Sequence, residues 1–342
     1  MTRASRSWNR KQAGHSVETG CGSHSAKNAR RRPLRSTRSA GAALLAAMLT
    51  VSMVAIFASA ALYLQYRAYE VERAERARVQ ASWLLHGAMD WARLVLREDA
   101  HSGGTDHLGE PWAIPLKEAK LSEFLAASHS DMAADAGTQI EDVFLSGEIT
   151  DLQSRLNVTN LVAPDGRRSD PDFLAFQRLF ATLGLPAQEL QRATELVVAS
   201  RGRSAGLASA PLVAQRVDAL AWMGMSPATV AAIKPYVTVL PDRTALNLNT
   251  ASPEAISAAL GLRLSDAQRL ADARLRTPFH TTNDAAKLLG MSAQDLAQTE
   301  VAVSVATQYF LIVARLRLED SLVEQRWVVR RTTSQVQPLW ME

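Results

Sequence analysis

Residues Arg38–Tyr66, RSAGAALLAAMLTVSMVAIFASAALYLQY, decide how the rest of the chain is read. From Ala42 to Leu64 there is no charged residue, and the polar side chains are the small hydroxyls of Thr50, Ser52 and Ser59, which can bond back to their own helix. At about 1.5 Å per residue this run spans roughly 34 Å as a helix, enough to cross the hydrocarbon core of a bilayer. Three readings compete. A secretory signal peptide would use Ala58-Ser59-Ala60 as its small-residue cleavage site, but the run is long for such a core and stays apolar beyond that triplet. A plain single-pass anchor leaves Gly41 and the helix that follows unexplained. In the third reading Gly41 marks a cut, and the mature chain begins at Ala42 with its membrane helix first.

Charge placement bears on all three. The chain has 342 residues, with 38 Lys/Arg and 34 Asp/Glu. Residues 1–41 hold ten of the basic residues against the one acid Glu18, which leaves 28 basic and 33 acidic residues from Ala42 onward, a net charge of −5. The basic balance of the whole chain therefore belongs to the leader, and the remainder is mildly acidic. A Ser-, Arg- and Gly-rich leader with few large apolar side chains is expected to be disordered. Its length is explained if the start lies too far upstream. Its charge assigns it to the cytoplasmic side, with everything after Tyr66 outside the inner membrane. The single cysteine, Cys21, lies in this leader, so no disulfide or cysteine metal site is expected in the mature chain.

The glycine-ended basic leader, the apolar helix and its amphipathic continuation resemble the type IV pilin and pseudopilin signature. Most members of that set carry a glutamate five residues into the mature chain. Here the residues are Leu44, Leu45 and then Ala46 at that fifth position. The type II secretion minor pseudopilin K family is known for lacking the acid, and the chain is identified as a member on this and on later motifs. The resemblance implies cleavage between Gly41 and Ala42 by a prepilin peptidase and methylation of the Ala42 amine.

Further along, Gln65–Asp99 reads as a continued helix, with Leu84, Leu85, Ala88, Trp91, Ala92, Val95 and Leu96 at three- and four-residue spacing. His101–Pro115 reads as a linker and Leu116–Ala127 as a short helix. QIEDVFLSG, EITDLQSRLN and VTNLV, over 139–162, read as paired strands with a tight turn at Ser146-Gly147. Asn157 and Asn160 suit local backbone bonds better than a ligand. From Pro171 to about Thr299 the period turns helical in short segments: 174–183, 187–199, 213–222, 227–236, 253–260, 265–274, 283–289 and 293–298. Ser226-Pro227 and Ser252-Pro253 each place a capping hydroxyl before a proline at the first helical position. The chain closes on alternating strands at Glu300–Ala306, Tyr309–Glu319 and Leu322–Arg331.

ITDLQSRLNVTNLV, VDALAWMGMSPATVAAIKPYVTVLP (Val217–Pro241) and the Asn247-Leu248-Asn249-Thr250-Ala251 phrase are all similar to the pseudopilin K family. The fold so implied is α+β. A long N-terminal transmembrane and amphipathic helix packs on an antiparallel pilin-like β-sheet, interrupted by a large inserted all-α domain with helix-hairpin-helix-like motifs. The expected divisions are a cleaved leader (1–41), the membrane helix and its extension (42–99), the first part of the β-domain (100–165), the insert (166–299) and the closing strands (300–342). The resemblance also implies partners: other minor pseudopilins in a tip complex, the major pseudopilin, the prepilin peptidase and the inner-membrane secretion platform.

One rival remains in view. The stretch from Ala245 to Asp295 also resembles helix-hairpin-helix modules that hold DNA backbones, so a membrane-anchored DNA-uptake protein is the alternative. Yet the hairpin Gly261-Leu262-Arg263 lacks the second glycine, and five basic residues are balanced by five acids, which leaves little counterion release to drive nucleic-acid binding. No enzyme is expected. His15, His24, His86, His101, His107, His129 and His280 are scattered without metal-ligand spacing, and no phosphate loop or nucleophile elbow is present in the sequence. No cofactor is expected. The family is sometimes associated with calcium, but the matching loop Ser200–Ala210 has no acid, and Glu141, Asp142, Glu148 and Asp151 do not form an EF-hand pattern, so metal binding stays open.

Overall fold

A computed structural model describes residues 39–121, 143–201, 212–292, 294, 301–318 and 321–341. Residues 1–38 with Cys21, Glu141, Asp142, most of the Ser200–Ala210 loop and the 293–298 segment apart from 294 lie outside the described residues. The chain divides into two compact units, Met1–Glu70 and Val71–Glu342.

The helix α1 runs Ser39–Ser102. Within the first unit its side chains from Gly41 to Glu70 are all exposed, and it is long and apolar enough to cross a membrane. Within the second unit α1 becomes one-sided. Ala81, Leu85, Met89, Ala92 and Leu96 are buried at helical spacing, because that stripe faces a sheet while Trp83 and Glu98 on other faces stay in solvent.

The sheet has five antiparallel strands in the order β1 (Leu116–Lys120), β2 (Val143–Asp151), β7 (Tyr309–Leu318), β8 (Ser321–Arg331) and β9 (Val336–Met341). Alternation along β7 sends Phe310, Ile312, Ala314 and Leu316 to the α1 side, where they meet Leu145, Trp327 and Val329. Tyr309 packs on the other face with Leu152, Leu240 and Val328. The register pairs Asp151 with Phe310 and Val143 with Leu318.

Three local expectations are corrected by this sheet. Leu116–Lys120 is a strand rather than the start of a helix, since pairing with β2 overrides a weak local preference; 122–127 lies outside the described residues. Ser146-Gly147 is no turn. It sits mid-strand, with Gly147 opposite Ala314, and a Cβ there would stand 2.8 Å from the Val313 carbonyl oxygen. The glycine serves close backbone approach, which a turn signal cannot be told from by sequence. The third correction concerns Glu300–Ala306. Val303–Ser304 (β6) pairs in parallel with Leu246–Asn247 (β5), outside the main sheet, and the fifth strand is β9, which sequence reading missed.

Between β2 and β7 the chain makes an excursion with its own core, built around Leu179, Phe180, Leu190, Ile233, Leu248, Ile256 and Leu270. Its helices are α2 (Asp170–Thr182), α3 (Ala187–Arg201), α4 (Pro227–Ile233), α5 (Pro253–Leu260), α6 (Leu264–Arg276) and α7 (Thr282–Leu288). It is not helical throughout. A 3-10 turn spans Val217–Met223, and β3 (Leu156–Asn157) pairs in parallel with β4 (Val237–Thr238). Ser226 and Ser252 cap as expected, their hydroxyls accepting from the Thr229 and Ala255 amides, each at 3.2 Å.

Four of its helical turns end alike. Gly184, Gly224, Gly261 and Gly290 all have φ between 67° and 87°, and the apolar residue after each donates its amide five residues back. These bonds join Leu185 to Phe180 (2.8 Å), Met225 to Leu220 (3.3 Å), Leu262 to Ser257 (3.2 Å) and Met291 to Ala286 (3.0 Å). That is the Schellman arrangement, with the residue after the glycine tucked against the helix it ends.

Candidate functional site

Gly41, Ala42, Leu44, Leu45 and Ala46 lie on the first turns of α1, all exposed, with Leu44 at 65% and Leu45 at 70%. The Thr50 hydroxyl donates to the Ala47 carbonyl at 2.9 Å and the Ser52 hydroxyl to Met48 at 2.8 Å, so these two hydroxyls are satisfied without water, as a lipid-facing helix requires. These five residues form a linear segment and share no pocket among the described residues.

A different site is built where the excursion leaves and rejoins the sheet. Asp151, the last residue of β2, is 2% exposed. Its Oδ1 accepts from the Gln153 amide (2.7 Å) and the Thr307 hydroxyl (2.6 Å). Its Oδ2 accepts from Asn247 Nδ2 (2.9 Å) and the Thr250 hydroxyl (2.5 Å). Gln153 spans the same neck, its side chain donating to the Ala245 carbonyl at 3.0 Å and accepting from the Gln308 amide at 2.7 Å. Asn247 also donates to the Asp106 carbonyl at 3.1 Å, while Asn249 exchanges two 2.9 Å bonds with Phe279. The Asn-Leu-Asn-Thr phrase is thus a turn whose side chains face inward to the neck. Burial pushes the Asp151 carboxyl up from its ordinary value, against the pull of its four donors.

Asn157 and Asn160 do more than bond locally. Asn157 caps Thr159, as expected, but also donates to the Asp242 carbonyl at 2.8 Å, and Asn160 trades bonds with Thr244 at 2.7 and 2.9 Å. Both strap the start of the excursion to its 240–244 segment.

Beside the neck, Asp99 near the end of α1, Asp106 and Glu110 bring carboxylate oxygens within 4.8 Å of one another. Arg331, at the end of β8 and 8% exposed, forms ion pairs with Asp99 and Asp106, donates to the Thr307 carbonyl at 3.1 Å, and lies 4.7 Å over the Phe310 ring. Glu110 Oε2 takes the Trp112 indole N–H at 2.6 Å and the His107 amide at 2.9 Å. Burial raises the carboxyl pKa of Asp99 and of Glu110, outweighing Arg331 at the first and two hydrogen bonds at the second. This donor set does not fit calcium, since the guanidinium already takes the place a cation would need. Glu148 is also spent, on Arg315 at 3.0 Å.

Two hairpins of the excursion are closed to a phosphate by the chain's own side chains. At Gly224 the amide that would greet a phosphate, that of Ser226, donates to Glu189 Oε2 at 2.8 Å. That amide and Thr229 hold the Glu189 carboxyl below its usual range, so an internal anion sits where a phosphate would go. At Gly261, the Arg178 guanidinium closes over the glycine and donates to the Ala258 carbonyl at 3.3 Å.

Sequence reading singled out the Asn-Leu-Asn-Thr phrase without its role, weighed Asp151 only as a calcium ligand, and missed Asp99, Asp106, Thr307 and Arg331. The one local signal was an arginine closing the apolar run WVVRR; Asp106 sits in a stretch that reads as linker.

Residues 154–242 and 246–306 each match a family model described as type II secretion system protein K. The type II secretion system protein K of Pseudomonas aeruginosa is 29% identical over 275 residues, covering 72% of this chain and 75% of that one. Among solved structures, a chain of the GspK–GspI–GspJ complex from enterotoxigenic Escherichia coli superposes with a TM-score of 0.58 at 18% identity, over 79% of this chain and 98% of that one, so the fold is shared. The matched segments run through the neck turn at Asn247 and the hairpins, the parts most distinctive of this chain. These matches support membership of the type II secretion system protein K family and a minor pseudopilin role in that system.

Proposed function

We propose that this subunit caps the tip of the periplasmic pseudopilus and starts its assembly together with other minor pseudopilins, for export of folded proteins across the outer membrane. The observation that carries the reading is Ala46. From Gly41 to Tyr66 the helix offers no carboxylate, whereas a subunit with another ahead of it in a fibre needs one to pair with the buried N-terminal amine of that neighbour. An unpaired buried charge is costly, so a subunit lacking the acid has its natural place where nothing lies ahead. The excursion between β2 and β7 adds bulk that supports the same placement.

In this proposal the leader faces the cytoplasm, α1 crosses the inner membrane once, and the Val71–Glu342 unit lies in the periplasm. The concentration of Lys and Arg in residues 1–41 supports that orientation. A prepilin peptidase cuts between Gly41 and Ala42, and the Ala42 amine is methylated. The partners are the other minor pseudopilins, the major pseudopilin and the inner-membrane platform. The role is mechanical and requires no catalytic residue, cofactor or metal.

N-terminal sequencing of the membrane protein tests this. Methylated Ala42 is expected, and Gly41→Leu should accumulate precursor and abolish secretion. Normal processing of that variant refutes the cleavage and with it the fibre role. The DNA-uptake reading instead predicts salt-sensitive DNA binding by the full chain, which the Glu189-filled hairpin argues against.

A further inference from the structure

We propose that Asp151 is a positioning residue: its carboxylate is the shared acceptor that holds the excursion in one orientation on the sheet. The topology sets the problem. The chain leaves β2 at Asp151 and returns to β7 at Tyr309, and β2 and β7 are hydrogen-bonded neighbours. Two adjacent crossings form a narrow neck, and beyond it the separately cored body meets the sheet through Leu240 on Tyr309 and Val328 and through the Tyr309 hydroxyl, which donates to Asp242 at 2.7 Å.

Asp151 ties the neck itself. One carboxylate oxygen binds the outgoing chain at Gln153 and the returning chain at Thr307, while the other binds Asn247 and Thr250 from the body of the excursion. Four donors, two on each oxygen, saturate a carboxylate, and an asparagine or a hydroxyl cannot accept from all four. The group is buried, and its partners are two hydroxyls, an amide side chain and a backbone N–H, with no cation among them. A bare buried carboxylate is an expensive way to fill space. Its retention makes sense where one group must tie three segments at once. Asp106 extends the tie, its Oδ2 accepting from the Thr307 amide at 2.6 Å and its backbone carbonyl from Asn247.

The test is a distance measurement on the full chain in detergent micelles. In a Cys21→Ser background, spin labels at Glu98→Cys on α1 and Leu275→Cys on α6, both exposed, report orientation across the neck by electron–electron resonance. The parent protein should give one narrow distance. Asp151→Asn, and separately the near-isosteric pair Thr250→Val with Thr307→Val, should broaden that distribution at least twofold with the helical circular dichroism unchanged. A distribution as narrow as the parent's in both variants overturns the proposal, as does a broad distribution in the parent. Should Asp151→Asn fail to fold, the valine pair decides alone.

Discussion

Arg331→Met puts the cluster beside the neck to a quantitative test. The substitution keeps most of the aliphatic stem and removes a guanidinium that is 8% exposed and paired with both Asp99 and Asp106. Breaking a buried pair by deleting one partner costs about 3–5 kcal/mol, because the other partner is left charged and unsolvated. Two carboxylates are orphaned here, and Glu110 stands within 4.8 Å of both. The loss over Phe310 adds about 1 kcal/mol, so the variant should lose about 5 kcal/mol at pH 7, roughly 15 °C in Tm for a domain of this size. The pH dependence separates this cause from simple loss of packing. Asp99 is already raised above its ordinary value by burial, with Arg331 pulling the other way. Without Arg331 it rises further. A carboxyl whose folded pKa lies above its unfolded one favours the fold below the unfolded pKa, and that advantage is lost as pH rises through the folded value. The gap between parent and variant should therefore be widest near pH 7 and shrink by pH 5. Thermal unfolding of the full chain in micelles, followed by circular dichroism at both pH values, reads it. A deficit under 1 kcal/mol at pH 7, or one unchanged at pH 5, refutes the reasoning.

Three further outcomes are expected. Gly147→Ala forces β2 away from the Val313 carbonyl and should cost about 1–3 kcal/mol, whereas Gly87→Ala, on an exposed turn of α1 with nothing within 4 Å of the new Cβ, should gain about 0.5–1 kcal/mol; paired Tm values check both. Glu110→Gln keeps an acceptor for Trp112 and His107 and removes a charge that burial disfavours. The variant should be at least as stable as the parent at pH 7, with a smaller gain on acidification, and a lower Tm at pH 7 would contradict that.

What was legible in the sequence had a local physical cause. The uncharged run from Ala42 to Leu64 has the length of a bilayer crossing whatever it touches. The 84–96 stripe and the alternation in FLIVARLRL encode their buried faces through periods of 3.6 and 2. Ser226-Pro227 and Ser252-Pro253 fix helix starts through bonds made within one turn. The family phrases between Ile149 and Ala251 carried the kinship that the sequence comparisons then supported.

Tertiary structure decided the rest, because the partners lie far apart along the chain. Ser146-Gly147 looks like a turn until β7 is set beside it, and Leu116–Lys120 becomes a strand by pairing with β2. Asp151 reads as an ordinary strand-end acid until Gln153, Asn247, Thr250 and Thr307 converge on it from separations of up to 156 residues. Arg331 meets Asp99 across 232 residues. No local pattern marks a buried carboxylate or arginine whose donors and acceptors arrive from other elements. Only the closed fold, in which burial makes each unmet polar group costly, says which of the chain's many charges hold it together.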